Sequence, residues 1–295
     1  MPLVNVFGNG EVVRELPLRI GDRAVTLLEG PAGWGEWSPL PGYPSDPAVC
    51  RRAAEDAAVN GFPPAVRDTV SVNALVDGPF LVQELRDFPS VKVKVRSLAD
   101  VAVLASVREA VGPSVALRID ANGAWDVDTA IEMIERCARY DLELVEQPVA
   151  SIDDLARVRR AVTVPIAADE CIRSIDDARR VRTLDAADVI VVKQQPLGGV
   201  RAALDVVDAA GLPAIVSSMM ETSVGIAAGL ALAAALPELP YACGLATASS
   251  LTRDVTSDPL VPVRGWIAVR AVVPDLAIAE AARGGQLPSS QDTSR

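Results

Sequence analysis

Val91-Lys92-Val93-Lys94-Val95 alternates β-branched and basic residues without a break. Such a run reads as a strand, and strand side chains point to opposite faces with period two, so both lysines share one face. Alone, the pattern fits a half-exposed strand with its lysines in water. Four further short apolar runs downstream change that reading, because each ends in charge: Ala116–Ile119 into Asp120, Leu142–Val145 into Glu146, Ile166–Ala168 into Asp169-Glu170, and Val189–Val192 into Lys193. The charged positions 94, 120, 146, 169 and 193 lie 26, 26, 23 and 24 residues apart. That is the length of a βα unit, and unbroken apolar runs are what strands of a doubly covered parallel sheet look like.

The rhythm is predicted to begin at Thr69, with Val70–Leu75 as the first barrel strand and the lysine strand second. Pro213–Ser217 follows as strand seven and Tyr241–Leu245 as strand eight, and eight strands close a barrel. Residues 1–66 do not follow this period. Val12–Leu16 and Ala24–Leu28 read there as antiparallel strands, and 46–60 as a helix with Pro47 at its start and Gly61 at its end. Gly33-Trp34-Gly35-Glu36-Trp37-Ser38 reads either as an active-site flap or as a surface turn with two packed tryptophans. Beyond Ser250 the rhythm stops: 251–283 is expected to return to the N-terminal layer, with strands in Val261–Val273, and 284–295 to be disordered.

The chain has 295 residues, 28 basic against 39 acidic, for a net charge of −11, and no histidine. The charge disfavours nucleic-acid and anionic-membrane partners. The missing histidine removes Ser-His-Asp and Cys-His catalysis and leaves acid–base work to Lys, Asp, Glu or Tyr. Four scattered cysteines form no CxxC pair, which points to a reducing cytoplasmic setting, and the first residues carry no secretory pattern. The most apolar segment, Val224–Leu236, is 13 residues long, too short to cross a bilayer, and reads as a buried helix.

In a barrel, the carboxyl-end face gathers the residues that follow each strand, so Lys92, Lys94, Asp120, Glu146, Asp169 and Lys193 should converge on one mouth. A single acidic residue there is more often a helix cap, but five consecutive units are hard to assign to capping. Three carboxylates without Cys or His suit Mg²⁺, with Mn²⁺ as an alternative. Lysines beside such a metal are expected to have depressed pKa values, which prepares a neutral amine to take a proton next to a substrate carboxylate.

The ordered set Lys92-Val93-Lys94, Asp120-Ala121-Asn122, Glu146-Gln147-Pro148, Asp169-Glu170 and Lys193-Gln194 resembles the muconate-lactonizing-enzyme subgroup of the enolase superfamily, over about residues 1–275. The resemblance implies an α/β fold: a (β/α)7β TIM-like barrel over 67–250 with an α+β capping domain built from the N-terminal segment and the C-terminal end. It implies Asp120, Glu146 and Asp169 as Mg²⁺ ligands, Lys94 as general base and acid, and Lys193 opposite it, holding charge against the developing anion. Within the subgroup three features favour a dehydratase over epimerases and cycloisomerases. Arg118 stands two residues before Asp120, Ser217-Ser218-Met219-Met220-Glu221-Thr222-Ser223 precedes Gly225, and Cys243-Gly244-Leu245-Ala246-Thr247 lacks the Asp-x-Asp that holds a substrate amine in dipeptide epimerases. Ala246, where many relatives carry Asp, and the short 17–23 loop depart from the pattern. The implied substrate is a small cyclohexadiene hydroxy-carboxylate of menaquinone synthesis, with Lys92, Arg118, Asn122, Ser217, Ser218 and Gly244 as its contacts. The alternatives are an N-succinylamino acid racemase using Lys94 and Lys193 as opposed bases, and a non-catalytic binding barrel. The oligomeric state stays open.

Overall fold

A computed structural model describes residues 3–6 and 12–283; the expectation for 284–295 lies outside the described residues. The N-terminal sheet is an antiparallel meander of β1 (Leu3–Val6), β2 (Val12–Ile20), β3 (Arg23–Gly30) and β4 (Gly33–Trp37). Strands β2 and β3 pair from Ile20↔Arg23 upward, so Gly21-Asp22 is a two-residue turn, with Gly21 at φ +62. Helix α1 (Pro47–Asn60) starts where Asp46 accepts a hydrogen bond from the Ala48 amide (2.8 Å), and it ends at Gly61 with φ +63. Its Cys50, Ala53, Ala54, Ala57 and Ala58 are buried; the stripe of small side chains lets the sheet approach closely.

The barrel follows as β5 (Thr69–Ser71), β6 (Ala74–Val76), α2 (Val82–Leu85), β7 (Ser90–Lys94), α3 (Asp100–Val111), β8 (Ala116–Asp120), α4 (Val127–Ala138), β9 (Leu142–Glu146) and α5 (Ile152–Ala161). It continues as β10 (Ile166–Ala168), α6 (Ile175–Thr183), β11 (Val189–Val192), α7 (Gln194–Leu197), α8 (Val200–Ala210), β12 (Ala214–Val216) and α9 (Ser223–Ala235). Strands β6 to β12 form one parallel sheet of seven in sequence order. The eighth position is held by 243–244: Cys243 bridges Val72, and Gly244 bridges Ser217, both in parallel. This segment is thus a pair of bridges and not the five-residue strand expected, since Ala246–Ser250 winds at once into a 3₁₀ turn. The first expected strand is likewise divided at Val72-Asn73, its two halves pairing with different partners.

Helices α4, α5 and α6 begin on Asp126, Ser151 and Ser174, whose side chains accept first-turn amides, and each carries Asp early and Arg late, as the helix dipole favours. Leu144, Ala167, Val189, Val191 and Ile215 fill the barrel interior below its mouth. The much larger apolar core lies between strands and helices. Helix α9 is buried along almost its whole length, as its composition implied, and among the described residues no helix is long and apolar enough to cross a membrane. The four cysteines are free and buried.

After the barrel, β13 (Trp266–Ala268) pairs antiparallel with β5 and not with the N-terminal sheet. The return to that sheet is instead made by α10 (Leu276–Arg283), which packs on β2. The expected strand return through Val261–Val273 is therefore replaced by one three-residue strand and a helix. The Gly33–Ser38 stretch also differs from a flap. A Cβ at Gly35 would sit 1.9 Å from the Ala54 carbonyl oxygen, so β4 is pressed against α1, and Trp37 Nε1 donates to Pro47 O at 3.0 Å.

Candidate active site

The parallel register sets the site. Lys92 faces Arg118 and Lys94 faces Asp120 across β7 and β8; Asp120 faces Glu146 across β8 and β9. Asp169 follows β10 directly, and Lys193 follows β11. Strands β7 and β11 are four positions apart in a ring of eight, so Lys94 and Lys193 approach from opposite walls.

Asp120, Glu146 and Asp169 are all buried. Lys92 Nζ lies 2.7 Å from Glu146 Oε1 and 3.2 Å from Asp120 Oδ2; Lys94 Nζ donates to Asp120 Oδ2 at 2.6 Å and to Asn122 Oδ1 at 2.8 Å. Lys193 Nζ is bonded to both oxygens of Asp169. Burial and then the Asp120 charge push the Glu146 carboxyl up to about 8. Burial also opposes ionisation of Asp120, but the Lys92 and Lys94 ammonium groups outweigh it and hold that carboxyl below the usual range. The expected depression of the lysines is not found for Lys92 or Lys193: burial works toward it, yet the carboxylates around each lysine raise both above the ordinary lysine value.

Three residues near these side chains hold left-handed backbone without being glycine: Asn122 (φ 49), Gln147 (φ 40) and Met220 (φ 61). Strain of this kind persists where surrounding contacts over-determine it. Gln147 illustrates this, its Oε1 accepting from the Asp169 amide at 2.7 Å while Nε2 donates to Val149 O at 2.7 Å. The next carboxylate is thereby fixed from the preceding strand end.

A cavity of about 770 Å³ opens over this cluster. Lys92, Lys94, Asp120, Asn122, Asp169, Lys193, Ser217, Ser218 and Gly244 line it, so nearly all residues singled out in the sequence meet there. Glu146 sits beneath Lys92 and does not line the cavity. Arg118 does not reach it either. Its guanidinium is bonded to Glu143 (2.5 Å) and Ala242 O (2.7 Å) and lies over the Tyr241 ring, inside the barrel. The register shift between Leu117 and Arg118 leaves Glu143 as the extra residue of β9, which brings that carboxylate to the arginine.

Two participants escaped the sequence reading. Tyr43, from the loop before α1, places its hydroxyl 3.1 Å from Asp169 Oδ1 and 3.3 Å from Lys193 Nζ, and the ammonium lies 4.6 Å from the ring centroid. Its only signal was an aromatic residue in a Pro- and Gly-rich loop. The second is Glu36, which accepts from Ser38 Oγ (2.6 Å), the Thr222 amide and hydroxyl (3.2 and 2.5 Å) and the Gly225 amide (3.0 Å), tying β4 to the start of α9.

The donor set suits a hard divalent cation. Its oxygens are carboxylates, and Glu170 Oε2, beside Asp169, is buried without a partner. Among the described residues no three acidic or Cys side chains already converge on one point; ammonium groups lie between the carboxylates instead.

Residues 80–275 match the family described as enolase C-terminal domain-like, and 13–58 match enolase N-terminal domain-like. Among solved structures, a muconate cycloisomerase from Pseudomonas fluorescens superposes with a TM-score of 0.80 at 20% identity, covering 92% of this chain and 97% of that one, which establishes the fold alone. Among curated relatives, o-succinylbenzoate synthase of Thermobifida fusca is 54% identical over 275 residues, covering 87% of this chain and 86% of the relative. That of Mycolicibacterium smegmatis is 44% identical over 280 residues, covering 89% and 86%. The chain belongs to the o-succinylbenzoate synthase family of the enolase superfamily.

Proposed function

We propose that this chain is a lyase that removes water from 2-succinyl-6-hydroxy-2,4-cyclohexadiene-1-carboxylate to give 2-succinylbenzoate, a step of menaquinone synthesis. The observation that carries the reading is the pair of lysines on opposite walls of one cavity, with three buried carboxylates between them. Enzymes of this family depend on a divalent metal. Asp120, Glu146 and Asp169 would hold it, with Mg²⁺ the cation that all-oxygen ligands favour and Mn²⁺ an acceptable substitute. Bound there, the ion supplies positive charge to the substrate carboxylate as its α-proton leaves.

Lys94 Nζ takes that proton as the amine and, as the ammonium so formed, gives a proton to the departing hydroxide; one group on one face serves both steps of a syn elimination. Asn122 Oδ1 and Asp120 Oδ2 aim this nitrogen. Lys193 has the different task of staying charged beside the anion that develops, which its carboxylate surroundings support. Tyr43 covers Lys193 from the cap side and shields it from water. The substrate is a small molecule, and nothing in the charge balance invites a nucleic acid.

Aromatisation of the cyclohexadiene, followed by absorbance with and without Mg²⁺, tests the reading. Mg²⁺-dependent turnover is expected, lost on chelation and restored by adding the ion back. Full turnover after exhaustive chelation would remove the metal role, and racemisation of N-succinylamino acids in place of dehydration would replace the reaction.

A further inference from the structure

At the cavity rim, Val263 and Trp266 exchange backbone hydrogen bonds, Val263 N to Trp266 O at 2.8 Å and Trp266 N to Val263 O at 3.1 Å. They enclose a two-residue turn whose central residues both have positive φ, Arg264 at 51 and Gly265 at 75. Turns of this mirror-image type favour Asn, Asp and Gly, so an arginine at such a position is strained. The turn is fastened on two sides. A Cβ at Gly265 would meet Pro89 Cδ at 2.6 Å and Asp87 O at 2.8 Å, so only glycine lets it press against that loop, and the Val72 amide donates to Gly265 O at 2.9 Å. A strained, well-anchored arginine is thus held at the edge of the cavity, among the residues that line it.

Its charge is unspent. The four other cations lining the cavity are engaged: Lys92, Lys94 and Lys193 on carboxylates, and Arg96 on Asp77 through two bonds of 2.9 and 3.1 Å. Arg264 makes no hydrogen bond or ion pair with any described residue. Glu84 and Asp87 line the same cavity and do not pair with it. With those two carboxylates nearby, an anion entering on this side of the rim is drawn to the guanidinium.

The reaction assigned above, on which this inference rests, uses a substrate with two carboxylates. The ring carboxylate, next to the carbon that loses its proton, is held at the reacting centre and stays in the product. The other ends the succinyl arm, and neither the lysines nor the three buried carboxylates supply it with a partner. We propose that Arg264 binds the terminal carboxylate of the succinyl arm and so selects substrates that carry one.

The test is a ligand–variant cycle on the Mg²⁺-loaded enzyme. Titration calorimetry would measure 2-succinylbenzoate and 2-butanoylbenzoate, which keeps the four-carbon arm but lacks its carboxylate, on wild type, Arg264→Gln and Arg264→Lys. Arg264→Gln should weaken 2-succinylbenzoate by roughly tenfold or more, the scale of one charge-assisted pair, with 2-butanoylbenzoate unchanged and Arg264→Lys in between. In turnover, KM should rise while kcat holds. Equal weakening of both ligands, or of neither, overturns the proposal while leaving the reaction standing. A wild-type enzyme without turnover of the cyclohexadiene overturns the reaction assignment, and this inference with it.

Discussion

Replacing Glu36 with glutamine tests how the cap is joined to the barrel. The carboxyl is buried, accepts four hydrogen bonds, and lies near a second buried carboxyl, Glu221. Burial and then the Glu221 charge push it from an ordinary 4.5 up to about 7, against the hydrogen bonds from Ser38 and Thr222. Glu221 is raised as well, chiefly by burial, with the hydrogen bonds from the Met219 amide and Gln195 and, least, the Arg23 charge opposing. Because the folded chain keeps a proton that the unfolded chain releases above 4.5, folding takes up a proton across that interval and weakens as protons become scarce. At about 1.36 kcal/mol for each tenfold in proton affinity, the wild type should lose ~3 kcal/mol of stability through this group between pH 4.5 and somewhat above 7. Glu36→Gln, permanently neutral, cannot contribute that loss. Urea unfolding of both proteins at matched pH should give a stability difference that shifts against the wild type by about that amount as pH rises. The active-site carboxylates titrate in both and cancel. A stability difference that stays flat from pH 4.5 to 8 would refute the argument and return Glu36 to an ordinary carboxylate.

The catalytic assignments separate by substitution. Lys94→Ala and Lys94→Arg should both lower kcat by at least ~10²-fold with an unchanged circular-dichroism spectrum, because neither side chain can act as a base. Lys193→Arg should retain more turnover than Lys193→Ala, since only the charge is needed there; equal loss in both would favour a two-base racemase. Gly35→Ala should destabilise the chain by about 3 kcal/mol or more and lower its melting temperature, because the new methyl meets the Ala54 backbone at 1.9 Å, where no rotamer can relieve it.

The barrel and its ring of candidate site residues were legible because period-two alternation and βα spacing are local signals, and the charge at each strand end is displayed once per unit. Asp120, Glu146, Asp169, Lys92, Lys94 and Lys193 all follow from that rule. Arg118 obeys the same parity yet misses the cavity, since parity fixes which face of a strand a residue occupies and not how deep along the barrel axis its long side chain turns. Depth depends on the β9 register shift, which no one strand encodes. Tyr43 and Glu36 were hidden for the opposite reason: each acts on a residue more than a hundred positions away, through a cap whose own local pattern is ordinary. Arg264 lay in a stretch read as plain strand, and its Arg-Gly turn became informative only once Gly265 was seen pressed on Pro89. The two classes divide the labour in the proposed reading: strand ends, which repeat, supply the residues assigned to proton transfer. Non-repeating loops from both chain ends supply Tyr43 and the proposed carboxylate contact of Arg264. Substitutions that move substrate preference with kcat preserved should therefore fall at positions such as Arg264, and those that abolish proton transfer at Lys94.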